Sequence, residues 1–150
     1  MFLFNGLSGK KMFELPTADV DLFGLLSPYE CEDIVGIYLQ VVERAILFPS
    51  TCKTDTKDFE YILKRKDNRA YVAVQVKQGG EYIHLDAPTY ESFAGDVFVF
   101  QTRNLYAGPP THNVHPLEAA TMKRFCLEHL DLMPRNIQRW VEVWKTLADE

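Results

Sequence analysis

Apolar positions recur at helical spacing from Cys31 through Ile34, Val35, Tyr38, Val41, Val42 and Ala45, which predicts a helix with one buried face ending near residue 45. Its start is sharp. Ser27 is a capping residue, Pro28 suits the first helical position, and Glu30 stands where a capping-box carboxylate reaches back. The period then changes. Ala45 to Phe48 can open a strand, and two stronger strands follow over Phe59–Arg65 and Tyr71–Lys77, rich in Tyr, Val and Ile. Lys66-Asp67-Asn68-Arg69 between them is turn-prone and predicts a hairpin.

Asp96 to Gln101 reads as a further buried strand, reached through a short helix or irregular crossover over residues 79–95. A loop carrying Pro109-Pro110 then leads into two helices. One spans roughly Leu117–Leu130; the other follows Pro134, with Ile137, Trp140, Val141, Trp144 and Leu147 as its apolar stripe. This order predicts an α/β layered domain with a mixed sheet. One domain over 1–150 suits the length, with 1–26 as an N-terminal extension, 27–101 as the core and 117–148 as C-terminal helices.

Hairpin geometry turns pattern into candidate chemistry. Side chains alternate along a strand, so Gln75 and Lys77 share a face, as do Asp58 and Glu60. Pairing Arg65 with Ala70 sets Glu60 opposite Gln75 and Asp58 opposite Lys77, with Cβ atoms about 4.5–5.5 Å apart. Two acids, an amide and a lysine thus meet at the open end of the hairpin. A cross-strand salt bridge on a solvated face would use the same residues. Against it, both strands carry apolar residues on each face, which suits central strands, where a lysine needs a partner or a purpose.

The run Ser27-Pro28-Tyr29-Glu30-Cys31-Glu32-Asp33-Ile34-Val35, then Asp58 before a strand, then Gln75-Val76-Lys77, resembles the Mrr-like restriction endonucleases of the PD-(D/E)xK superfamily. The resemblance covers about residues 27–101. It implies a restriction-endonuclease-like fold, a central mixed sheet flanked by helices, and an active site of Glu32, Asp58, Gln75 and Lys77. It further implies Mg²⁺, with Mn²⁺ as a substitute, held by Asp58 and Gln75, with Glu60 and Asp55 as stand-ins for the aspartate. The expected activity is phosphodiester hydrolysis, in DNA rather than RNA; the alternative is an inactive nuclease-fold module that binds nucleic acid or protein. A homodimer, or an additional DNA-reading domain or subunit, would complete recognition. Three departures stand out: Cys31 replaces a frequent phenylalanine, Thr54-Asp55-Thr56-Lys57 replaces a Gly-rich approach to the aspartate, and Gln75 occupies a position more often Glu or Asp.

Charge modifies this picture. Sixteen basic against 21 acidic residues give −5 overall, the reverse of a protein that relies on non-specific nucleic-acid affinity. Part of that acidity is the expected metal cluster. Lys64, Arg65, Lys66 and Arg69 make the hairpin tip locally basic, either as a solvated turn or as a phosphate-contacting tip about 20 Å from Asp58 at ~3.3 Å per residue.

Other motifs are weaker. His112 and His115 are assigned to a loop or a helix start, and Gly6 to Lys11 lacks the spacing of a phosphate loop. Three widely spaced cysteines without a CxxC pair point to reduced thiols and a cytoplasmic protein. The chain shows no run suited to a membrane helix, and no membrane partner is expected.

Overall fold

Ser27 and Glu30 close the capping box: Ser27 N–H donates to Glu30 Oε1 (2.8 Å) and Glu30 N–H to Ser27 Oγ (3.2 Å). They start the helix at Pro28, as its sequence requires. The computed structural model describes residues 21–52 and 59–148. In chain order the elements are α1 (Leu22–Leu25), α2 (Pro28–Val41), β1 (Ala45–Leu47), a 3₁₀ turn (Pro49–Cys52), β2 (Tyr61–Arg65), β3 (Tyr71–Lys77), β4 (Ile83–His84), α3 (Pro88–Glu91), β5 (Asp96–Gln101), β6 (Tyr106–Ala107), β7 (Val114–Leu117), α4 (Ala119–Glu128), a second 3₁₀ turn (Leu130–Leu132) and α5 (Arg135–Ala148). Helix α2 is shorter than its apolar period suggests. Arg44 takes a left-handed φ of 57° and turns the chain so that Ala45 can enter the sheet.

The main sheet has the order β1-β2-β3-β5-β7, with β1, β2 and β3 antiparallel in succession and β3, β5 and β7 parallel. It is the mixed α/β sheet that the element order predicts. The expected hairpin register also holds: Tyr61 pairs with Val74 and Lys64 with Tyr71, while Arg65 N–H donates to Ala70 O at 2.8 Å.

Both faces of the sheet are covered. Tyr61, Leu63, Val72, Val74, Val76, Phe98 and Phe100 pack with α2, α4 and α5. Ala73, Val97, Val99 and Val114 face the other way, beneath Ile83, Leu85 and Tyr90 of the crossover. Burial on both faces explains the unbroken apolar runs of β3 and β5.

Two expectations are corrected. Residues 114–117 form β7 instead of a loop and a helix start, and α4 begins at Ala119. Pro116 hides this strand in the sequence, but β7 is the sheet edge, where a missing N–H breaks no ladder bond. His115 accordingly lies in a strand, with its Nε2 3.0 Å from Asp96 Oδ1. The short parallel pair of β4 and β6 is a further element that the crossover pattern does not reveal.

Buried amides tie the irregular segments down. Gln101 is fully buried and its side chain fully bonded: Nε2 donates to the carbonyls of Gly79 and Glu81 (2.9 Å each), and Oε1 accepts from the N–H groups of Arg103 (2.7 Å) and Leu105 (3.0 Å). Asn113 Nδ2 donates to the carbonyls of Tyr90 (2.9 Å), Phe93 (3.4 Å) and Gly95 (3.0 Å), which holds α3 over the sheet.

Candidate active site

Past Tyr61 the β2–β3 ladder is bulged: Glu60 N–H donates to Val74 O at 2.8 Å, so Glu60 and Tyr61 both stand opposite Val74. The expected pairing of Glu60 with Gln75 is thereby displaced by one residue. Alternation sends Gln75 and Lys77 to the same face as Ala73, under the crossover that carries Tyr90.

Helix α2 supplies Glu32 from the opposite side. The Tyr61 hydroxyl donates to Glu32 O at 2.6 Å, fixing that turn of α2 against β2. Gly36 makes room for the ring, since a Cβ there would stand 3.1 Å from the Tyr61 oxygen. The carboxyl of Glu32 comes within hydrogen-bonding reach of Glu60, and its pKa is pushed up to about 7. Burial is the largest cause, followed by the Glu60 charge and the hydrogen bond to it, then Asp33. Near neutral pH the pair thus holds a proton. Glu32 also borders an open cleft of about 340 Å³ lined by Tyr29, Asp33, Ile37, Leu47 and Tyr61.

Lys77 Nζ is 3.0 Å from Glu81 Oε2, across the turn that contains Gly79 at φ 63°. Tyr90 is 7% exposed, and Gln75 hydrogen-bonds its phenol. Burial raises the phenol pKa, Gln75 and Lys77 draw it down, and Glu60 and Glu81 push it up. An amide N–H donated to the phenol oxygen has this lowering effect.

The structure thus brings Glu32 to Glu60 from the α2 side, and Gln75 and Lys77 to Tyr90 and Glu81 on the crossover side. Asp58, the expected main carboxylate, lies outside the described residues, as does Asp55. Sequence reasoning missed Tyr90 and Glu81. Glu81 had a spacing signal, four residues beyond Lys77 over a Gly-Gly turn. Tyr90 had none, because its placement depends on the distant Asn113.

The basic tip divides. Arg65 points to the α2 side and is held by Glu43 (2.9 Å) and Asp96 (3.2 Å); desolvation opposes the charge of its guanidinium, but these partners raise its pKa on balance. Lys64 lies on the opposite face with Nζ 5.1 Å from the centre of the Tyr71 ring. Lys66 and Arg69 are exposed in the turn. Burial pushes the thiols of Cys31 and Cys126 up to about 12 and 11, so both are packing groups.

Among the described residues, no three Asp, Glu, His or Cys side chains form a metal cluster, and no helix is long and apolar enough to cross a membrane. The donors that do meet, the carboxyls of Glu32 and Glu60, are oxygen, the kind a hard divalent cation takes. A carboxyl pair holding a proton at neutral pH is a place where such a cation can replace that proton. Two carboxyl groups alone are compatible with Mg²⁺, which keeps several of its waters. No protein-family model, curated protein or solved structure matches the chain.

Proposed function

We propose that this protein is a metal-dependent nuclease of the Mrr-like group, with a restriction-endonuclease-like fold, that hydrolyses phosphodiester bonds in DNA. The observation that carries the reading is the meeting of the Glu32 carboxyl, from α2, with Glu60 just ahead of β2, at the end of the hairpin where β3 carries Gln75 and Lys77. A salt-bridged sheet surface would not place a second, partly buried carboxyl against the first.

Asp58, Glu60 and Gln75 would hold Mg²⁺, which supplies a polarised phosphate oxygen and a water of lowered pKa. Tyr90 keeps the amide of Gln75 in one orientation. Lys77, now paired with Glu81, would turn to the phosphate and stabilise charge developing on it. Glu32 would give up its proton as the cation enters and then hold a water in place. The reduced cysteines suit a cytoplasmic location, and a homodimer or a separate reading domain would add sequence recognition.

Plasmid DNA incubated with Mg²⁺ tests the reading. Wild type is expected to nick or linearise it, and Asp58→Ala or Lys77→Ala to lose about 10²–10³-fold in rate. Equal rates in all three would overturn it. The neutral Gln75 and the occupied Lys77 favour a second reading, an inactive nuclease-fold module that serves binding. Calorimetry with Mg²⁺ separates the two: an intact site binds the cation and loses it on Asp58→Ala, whereas a module that has lost catalysis shows no such heat.

A further inference from the structure

On the sheet face that bears Gln75 and Lys77, the hairpin-tip end is open. Ile46, Lys64 and Tyr71 form a cross-strand row there, with Ile46 49% and Tyr71 46% exposed. Phe48 packs edge-on against Tyr71 at 6.4 Å, and Lys64 sits over the Tyr71 ring. Rings continue from this row toward the candidate site. Gly95 lies against both the Tyr71 carbonyl and the Phe93 ring, Phe93 meets Phe59 at 5.2 Å, and Phe59 meets Tyr90 at 6.2 Å.

Cations border the open end. Lys66 and Arg69 are exposed in the turn, and exposed Arg44 joins them because Lys66 N–H donates to its carbonyl at 3.0 Å. Arg65 is neutralised on the other face by Glu43 and Asp96, so it adds nothing to this side. An exposed ring flanked by cations that make no ion pair among the described residues, with Asp67 the one acid in the turn, offers what a single strand needs: a π-face for a base and positive charge for its phosphates. Bases inside a duplex are already stacked and cannot use the ring.

We propose that Tyr71, backed by Phe48 and bordered by Lys64, Lys66, Arg69 and Arg44, is a base-stacking platform that binds single-stranded nucleic acid and guides it toward Gln75 and Lys77 on the same face of β3. Four residues separate Tyr71 from Gln75 along β3, about 13 Å at ~3.3 Å per residue, or roughly four stacked bases at ~3.4 Å each. The platform therefore engages a base about four positions from the reacting phosphate. This destination, though not the platform itself, rests on the nuclease reading.

The test is fluorescence anisotropy in low-salt, metal-free buffer with fifteen-nucleotide oligothymidylate, the matching oligouridylate and a fifteen-base-pair duplex. Binding then needs neither cation nor cleavage. Tyr71 is exposed at the first position of its strand, and Tyr71→Phe keeps the ring. Tyr71→Ala is expected to bind one or both single strands about tenfold more weakly than wild type, Tyr71→Phe to match wild type, and duplex binding to stay unchanged. Unchanged single-strand binding by Tyr71→Ala, an equal loss on duplex, or no single-strand binding by wild type would overturn the platform. Plasmid cleavage with Mg²⁺ is read separately. A cleaving protein with unchanged binding in Tyr71→Ala loses only the platform, and a non-cleaving one with the expected binding loss loses only the nuclease assignment.

Discussion

Glu32→Gln isolates the energetic cost of the carboxyl pair. In the native chain Glu32 keeps its proton to about pH 7, against an ordinary value of 4.5 for an unfolded glutamate. A carboxyl whose folded pKa is raised contributes stability that is full below the unfolded value and lost as pH rises through the folded one. The native state is thus penalised increasingly between pH 4.5 and about 7, and fully above that. At ~1.4 kcal/mol per unit the whole shift corresponds to roughly 3 kcal/mol, but water screens this half-open group, which brings the effective penalty to about 1–2 kcal/mol. Glutamine keeps the shape and a donor toward Glu60 but cannot ionise. Urea unfolding of wild type and Glu32→Gln in chelator, from pH 4.5 to 8.5, should give equal stabilities at the acid end. At the alkaline end the variant should be more stable by about 1–2 kcal/mol. Other titrating groups, such as Asp96 with its lowered pKa beside His115 and Arg65, cancel in the difference. A pH-independent difference, or a variant less stable than wild type at pH 8, would refute the carboxyl pair.

Gly95→Ala places a Cβ 2.1 Å from the Tyr71 carbonyl, where backbone cannot yield, and should cost at least about 2–3 kcal/mol in urea unfolding. Gly24→Ala in α1, with nothing within 4 Å, is its control and should be neutral or slightly stabilising. Asn113→Ala withdraws one amide from three carbonyls under α3 and should destabilise by about 2–3 kcal/mol in the same assay. Tyr90→Phe removes the oxygen that orients Gln75 and should raise the Mg²⁺ concentration for half-maximal cleavage about tenfold or more, as loss of an outer partner of a metal ligand does. Its stability should change by less than about 1.5 kcal/mol.

Much of the core was legible because local chemistry and global packing agree there. The Ser27–Glu30 box marked the start of α2, and the turn over residues 66–69 set the register that pairs Tyr61 with Val74, up to the bulge at Glu60. Where a distant partner decides, the sequence pattern was silent or misleading. Pro116 argues against a strand until β7 is seen to be the edge. Arg65 reads as one more cation of the tip until Glu43 and Asp96 claim it from other elements. Alternation along β2 had already placed it on the face opposite Lys64, so the separation was available from period alone. Tyr90 reaches Gln75 because Asn113, far along the chain, fixes the crossover. The shared proton of Glu32 and Glu60 likewise follows from helix-on-sheet packing through Tyr61 and Gly36, which spacing does not reveal.

The nuclease proposal requires one divalent-cation site at the Glu32–Glu60 end of the hairpin, served by Gln75 and Lys77. Anomalous diffraction from crystals soaked in Mn²⁺ tests it most directly. A peak is expected within coordination distance of oxygens from Glu60 and Gln75, with Asp58 joining them, and no such peak in Asp58→Ala crystals. A well-ordered Glu60–Gln75 face with no anomalous density at saturating Mn²⁺ would contradict it.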